Sequence, residues 1–259
     1  MSSSLQTLVR DLHRRRGRER RGLALAEGIR LVEEALATGI NIRGAAVSPA
    51  LEATIRGKSL KAALLERGIR VEEVSDAELD GLSNTEHPQG ITAVVEPKSW
   101  TLSDIRLRPG MTALVFDAVQ DPGNVGTMLR TALGLGAAGV IALKGTADLT
   151  NAKVIRAGMG ATFRLPSVAA TPEEMVAWAR LQRAEIWVAA VGGESPAGLP
   201  RRTSERPPVL LVVGNEGAGV SPTLEAAASR RIGVDLARGV ESLNVAVAAG
   251  ILLHEVTRD

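Results

Sequence analysis

The stretch Gly239-Val240-Glu241-Ser242-Leu243-Asn244-Val245-Ala246-Val247-Ala248 passes from a glycine-containing polar turn directly into an apolar helical run. Two clusters of the same kind precede it. They are Asn124-Val125-Gly126-Thr127-Met128-Leu129-Arg130-Thr131-Ala132 and Gly214-Asn215-Glu216-Gly217-Ala218-Gly219-Val220-Ser221-Pro222. A junction between a loop and a helix collects oriented backbone N–H groups that have no intrahelical partner. One such junction is commonplace; three in this order point to a ligand site assembled from separated turns.

Working outward, the stretch from Met111 onward alternates strands with helices. Strands are expected at 112–116, 140–143, 163–165, 186–191, 209–213 and 232–234. Helices are expected at 124–135, 152–157, 172–183, 222–228 and 243–256. Each strand is a near-continuous apolar run, the pattern of a parallel sheet covered on both faces. Residues 20–96 read as smaller α and β elements: helices over 27–37 and 60–66, strands over 42–47, 69–74 and 91–95. Residues 97–110 carry two prolines and no sustained period, so they read as a linker. The expected organisation is therefore a basic terminal arm or helix (1–22), a small α/β domain (23–96), the linker (97–110) and a larger α/β domain (111–259).

Composition narrows the classes. With 259 residues, 45% of them apolar, the chain has ample material for a core. No apolar run approaches a membrane span, and the N-terminal residues lack the layout of a secretion signal. There is no cysteine, which excludes disulfides and thiolate metal sites and makes a cytoplasmic location the default. His13, His87 and His254 are too scattered for a metal cluster, so no metal is expected. The net charge of +2 hides an uneven distribution: seven arginines and two acids lie between Arg10 and Arg21. This run is either a solvated terminal helix or an arm that contacts RNA phosphates through Arg14, Arg15, Arg16 and Arg18. Two Phe, three Trp and no Tyr argue against an aromatic platform for single strands.

Gly134-Leu135-Gly136-Ala137-Ala138-Gly139 spells the dinucleotide fingerprint. That motif must follow a strand and open a helix; here it closes a helix and opens a strand, as a C-cap and packing glycines would. The misplaced fingerprint argues against a nucleotide-dependent oxidoreductase, and no Gly-Lys-Ser/Thr follows any glycine loop, so a P-loop nucleotidase is not expected.

Taken together, the three quoted clusters resemble the signature motifs of the SpoU family, RNA ribose 2′-O-methyltransferases of the SPOUT superfamily. Glu27-Gly28 and His87-Pro88-Gln89-Gly90-Ile91 resemble the RNA-substrate-binding domain that some members carry before the catalytic domain. The resemblance implies a parallel-sheet α/β domain with a C-terminal trefoil knot, S-adenosylmethionine as cofactor, a homodimer with sites at the subunit interface, and RNA, most simply ribosomal RNA, as substrate. A transfer-RNA-directed enzyme and a catalytically inactive RNA-binding protein are the alternatives. Retention of Asn124, Arg130, Glu216, Ser242 and Asn244 argues against the inactive one.

Each residue also has a plainer reading. Asn124 suits a helix N-cap. Arg130 shares a helical face with Gly126 and is either a surface ion-pair partner or, as the resemblance implies, the group that activates the 2′-hydroxyl and holds a phosphate. A guanidinium holds its proton and is a poor base alone, so it is expected to act with a bound RNA phosphate. Glu216 is either a second proton acceptor or an anchor for its loop. Ser242 and Asn244 begin the last helix and can cap it, and the resemblance also gives them a part in shaping the site. It places the cofactor on Gly214, Gly219, Val234 and Leu243, held largely through backbone. The family has Ile-Pro-Met where this chain has Val234-Asp235-Leu236; Ile232 is the alternative to Val234 if that loop is shifted.

Overall fold

The computed structural model describes residues 4–85, 88–199 and 203–258. His87 lies outside them. Along the chain come α1 (Leu5–Leu12), α2 (Arg15–Arg21), β1 (Ala24–Glu27), α3 (Ile29–Ala37), β2 (Asn41–Val47), α4 (Pro49–Glu52), α5 (Ile55–Glu66), β3 (Val71–Glu73), α6 (Asp76–Asp80) and β4 (Ile91–Glu96). They are followed by β5 (Thr112–Phe116), α7 (Pro122–Gly134), β6 (Val140–Leu143), α8 (Ala152–Ala157), β7 (Ser167–Ala170), α9 (Pro172–Leu181) and β8 (Glu185–Glu194). β9 (Val209–Val213), α10 (Pro222–Ala227), β10 (Arg230–Ile232) and α11 (Val245–Thr257) end the chain. None of the described helices is long and apolar enough to cross a membrane.

Two compact units result, one of Met1–Ser99 with Thr150–Arg164, the other of Trp100–Leu149 with Leu165–Asp259. In the first, the sheet order is β1-β4-β2-β3, with β4 antiparallel to both neighbours and β3 parallel to β2. Alternate residues point to opposite faces of a strand, and both faces here are apolar. Ala24, Ala26, Val47, Ala93 and Val95 join a core with α3 and α5. Leu25, Ala46 and Val94 join the opposite core with Leu5, Val9 and Leu12 of α1. The segment expected to belong to the second domain, residues 150–164, packs here instead, because Ile155 and Phe163 complete the first of these cores. The strand expected at 163–165 is accordingly absent: Ala161–Phe163 is a 3-10 turn, and the strand begins beyond Pro166, at Ser167.

The arginine-rich start is a docked helical pair. Arg18 is only 5% exposed, and its Nη1 donates to the Leu12 and His13 carbonyls at 2.9 Å each. It satisfies acceptors that the end of α1 leaves unpaired, a buried and hydrogen-bonded position unlike the exposed one expected of an arm on RNA phosphates. Arg20 and Arg21 bind Asp11 at 2.8 and 2.6 Å, and Arg15 pairs with Glu19. Arg14 and Arg16 are exposed and have no partner among the described residues.

In the second unit all six strands are parallel, in the order β10-β8-β9-β5-β6-β7. Every residue of β5, β6 and β9 is buried, as a sheet with two covered faces requires. Val115, Ile141, Val188 and Val212 face α9 and α10, whose Met175, Trp178 and Leu224 close that layer. α7 and α11 pack together over the other side of β5. Residues 97–110 are not a free linker: Leu102–Asp104 forms a 3-10 turn capped by Thr101, and Ile105 and Leu107 are buried against the sheet. Too few apolar residues lie there to make a period, yet these two suffice to tie the segment down.

Candidate active site

Asp121, rather than Asn124, caps α7: its Oδ1 accepts the Asn124 N–H at 2.7 Å, and Pro122 fills the first turn. Asn124 is thereby held three residues inside the helix with its side chain free for other partners. Asn244 caps α11, its Oδ1 accepting from the N–H groups of Ala246 and Val247 at 3.0 and 3.3 Å. Backbone N–H groups can only donate, so Asn244 must turn its Nδ2 outward. That Nδ2 donates to Asn124 Oδ1 at 3.0 Å, and Asn124 Nδ2 donates to Glu216 Oε1 at 3.1 Å. The chain is consistent in one direction only, from an amide whose oxygen is spoken for to a carboxylate that only accepts. One residue from each of the three sequence clusters takes part.

Glu216 also receives the N–H groups of Gln120 and Asp121, each at 3.4 Å. Burial pushes its carboxyl up, but backbone N–H donors, its own included, and the Asn124 amide outweigh this and hold it below the usual carboxylate range. A depressed pKa makes a weaker base, so this environment favours the anchoring role over proton acceptance.

Two residues of this region escape motif reading. Asn215 accepts from Gly217 N and Ala218 N at 3.0 Å each and donates to the Ala118 carbonyl at 2.9 Å, tying the loop after β9 to the end of β5. An Asn two residues before a glycine is an Asx-turn signal that could have revealed it. Asp117, 5% exposed, accepts the Ser221 N–H at 2.6 Å; no local signal marks it. Gly214 is required by close approach, since a Cβ there would lie 2.2 Å from the Gly219 carbonyl carbon.

Beside this network lies a cleft of about 790 Å³ at the C-terminal ends of β8 and β9. Gly214, Glu216, Gly219, Val234, Ser242, Leu243 and Asn244 line it, as do Ala189, Ala190, Leu236 and Leu252, which the sequence did not single out. Parallel α/β sheets bind ligands beyond their carboxyl ends, near the strand at which chain direction across the sheet reverses. Ile232 is fully buried within β10 and not among the lining residues, which removes it as the alternative to Val234. Ser242 lines the cleft but caps nothing, because α11 begins at Val245. Asp235, at the position of the family proline, accepts from Ser195 Oγ at 2.6 Å and so secures the loop by a hydrogen bond. Arg130 stands on the exposed face of α7, outside the cleft lining and without a hydrogen-bond or ion-pair partner among the described residues.

These features define a ligand-binding parallel α/β domain whose cleft is walled by glycine loops. The SpoU rRNA Methylase family matches residues 111–254, and an MRM3-like substrate binding domain matches residues 7–93. The chain is 34% identical to the 23S rRNA (guanosine(2553)-2′-O)-methyltransferase RlmP of Bacillus subtilis (strain 168), over 95% of this chain and 93% of that protein. Among solved structures, the AdoMet-bound rRNA methyltransferase from Sinorhizobium meliloti superposes with a TM-score of 0.85 at 30% identity, covering 98% of this chain and 94% of that one. The SpoU methyltransferase AviRb from Streptomyces viridochromogenes, in complex with AdoMet, also gives 0.85, at 27% identity over 99% and 97% of the two chains. The protein belongs to the SpoU rRNA methylase family, with an MRM3-like substrate-binding domain before the methylase domain.

Proposed function

We propose that this protein methylates a ribose 2′-hydroxyl of ribosomal RNA, using S-adenosylmethionine. The observation that carries the reading is the Asn244–Asn124–Glu216 chain, which draws the three signature turns together beside one cleft. The names of the relatives and the AdoMet-bound neighbours support the same chemistry.

The residues present fit the cofactor. Gly214 and Gly219 bring bare backbone to the cleft wall, where a Cβ at Gly214 would collide with the neighbouring loop. Val234, Leu236, Leu243 and Leu252 supply an aliphatic surface for an adenine ring. S-adenosylmethionine supplies an electrophilic methyl group on a sulfonium. What remains for the protein is alignment of the sugar oxygen in line with that methyl and removal of the hydroxyl proton. Asn124, with both amide groups engaged, keeps the mouth of α7 in one geometry. Arg130, always charged, acts by holding an RNA phosphate and lowering the cost of the developing alkoxide.

Arg130 lies outside its own cleft, three residues from exposed Leu133 on α7, while Val247 and Ile251 are exposed one turn apart on the neighbouring α11. Exposed apolar side chains on two helices that pack together are consistent with a homodimer formed over α7 and α11 with sites completed across the interface. The trefoil knot and a cytoplasmic location belong to the same reading. The direct test is incubation of unmodified ribosomal RNA with methyl-labelled S-adenosylmethionine, followed by mapping of the modified ribose. Label on a base, or on no rRNA nucleotide, overturns the proposal.

A further inference from the structure

A second cavity, of about 340 Å³, lies within the N-terminal unit. Its floor is Glu27 at the end of β1, only 5% exposed. A buried carboxylate is costly unless paired; Arg156 Nη1 donates to it at 2.6 Å and Asn84 N at 3.1 Å. Arg156 comes from α8, far along the chain, so residues 150–164 fold back to complete this cavity. Met159, on the same segment, also lines it and takes the left-handed conformation (φ 50°) that a non-glycine residue adopts at a cost.

The groups left over are mostly donors. Gln89 Oε1 accepts the Ile29 N–H at 3.0 Å, which leaves its amide N–H groups without a partner among the described residues. Beyond its bond to Glu27, the Arg156 guanidinium likewise has unused N–H groups, and Arg30 on the rim is exposed and unpaired among the described residues. The Ser83 and Thr85 hydroxyls bond each other at 2.9 Å and each retain a further position. Leu31, Ile91 and Met159 give the cavity an apolar side.

We propose that this cavity takes one unpaired nucleotide of the RNA substrate. Its phosphate and carbonyl oxygens meet Arg30, Arg156 and the Gln89 amide, its base N–H groups meet Glu27, and its ring lies on the aliphatic side. The volume is at the low end of the roughly 300–1,000 Å³ of small-molecule sites, room for one nucleotide. A base stacked in an A-form duplex cannot enter, whereas a splayed one can. The assignment rests on RNA being the substrate and adds which part of it the first unit reads.

The test uses the full-length protein, a labelled single-stranded hexaribonucleotide of mixed sequence and a paired RNA of equal length, read by fluorescence anisotropy. The single strand is expected to bind about tenfold more tightly than the duplex. Gln89→Glu, which keeps the acceptor for Ile29 but removes the free donors, and Arg30→Ala, at an exposed position, should each weaken single-strand binding about tenfold. Duplex binding, Tm and S-adenosylmethionine affinity should stay within about twofold or unshifted. Lack of single-strand preference, or losses equal for both RNAs, or no loss in the Arg30 variant, overturns the assignment. Methyl transfer to ribosomal RNA would persist in that case if the methyltransferase reading is sound, so the two failures are distinguishable.

Discussion

Asn244 Nδ2 donates to Asn124 Oδ1 at 3.0 Å across 120 positions of sequence. The same Asn244 caps α11 through its oxygen, so one side chain both starts the last helix and joins it to the first signature turn. The helix cannot shift without disturbing the network beside the cleft.

Asn244→Asp separates these two duties. A carboxylate still caps the helix, but it removes the donor and faces Asn124 Oδ1 with negative charge. Thermal unfolding should move little, while kcat/KM for RNA methylation falls at least about tenfold, the loss of roughly 1.4 kcal/mol of site organisation. Equal activity of the variant and the parent would show that the link is incidental.

Gly214→Ala tests the close approach of the two loops. The added carbon would sit 2.2 Å from the Gly219 backbone, and neither neighbour is a flexible side chain. The loop must move, costing about 1–3 kcal/mol of stability. Calorimetric affinity for S-adenosylmethionine should drop more than about tenfold; unchanged affinity would contradict a backbone cradle.

Arg130→Ala should abolish methyl transfer and leave cofactor affinity within about twofold, because the residue lies outside the cleft lining. Arg130→Lys should not restore the rate, since an ammonium lacks the planar fork. Parallel loss of cofactor binding and turnover would refute the assigned role.

The Glu216 carboxyl is held below its ordinary value because N–H donors outweigh the effect of burial. Its contribution to stability is therefore fully present above the ordinary carboxyl value of about 4.5. It is lost as pH falls through the lower folded value. Activity followed between pH 6 and 9 should show no ionisation that disappears in Glu216→Gln; one that did would restore Glu216 as a proton acceptor.

The arginines of α1 and α2 should divide into two kinds. Arg14→Ala with Arg16→Ala should weaken RNA binding and lower the salt slope by roughly 1.5, with no change in Tm. Arg18→Ala leaves the buried Leu12 carbonyl and the part-buried His13 carbonyl without the Arg18 donor, which costs about 1–3 kcal/mol of stability. Chemical denaturation and salt titration of binding separate the two effects.

The parallel sheet was legible in the sequence because β5, β6 and β9 are uninterrupted apolar runs buried on both faces, a local property, whereas the strand expected at 163–165 lies at Ser167–Ala170. Gly214, Val234 and Leu243, singled out through the resemblance of their motifs to a known family, line one cleft. Other assignments were not, because they depend on groups distant along the chain. Asp121 competes with Asn124 for the cap and wins by geometry. Arg18 reads as one more surface cation until the end of α1 is seen to lack donors for its carbonyls. Residues 150–164 have the pattern of the second domain, yet Ile155 and Phe163 find more apolar surface in the first.

What the chain determined by itself was the alternation of strands and helices and, through its three motifs, the family, since periodicity and motif spacing are written locally. What only the tertiary structure decided was which donor meets which acceptor. Asn124, Glu216 and Asn244 could each satisfy several partners, and the choice among them follows from where the sheet and the two covering helices bring their ends together.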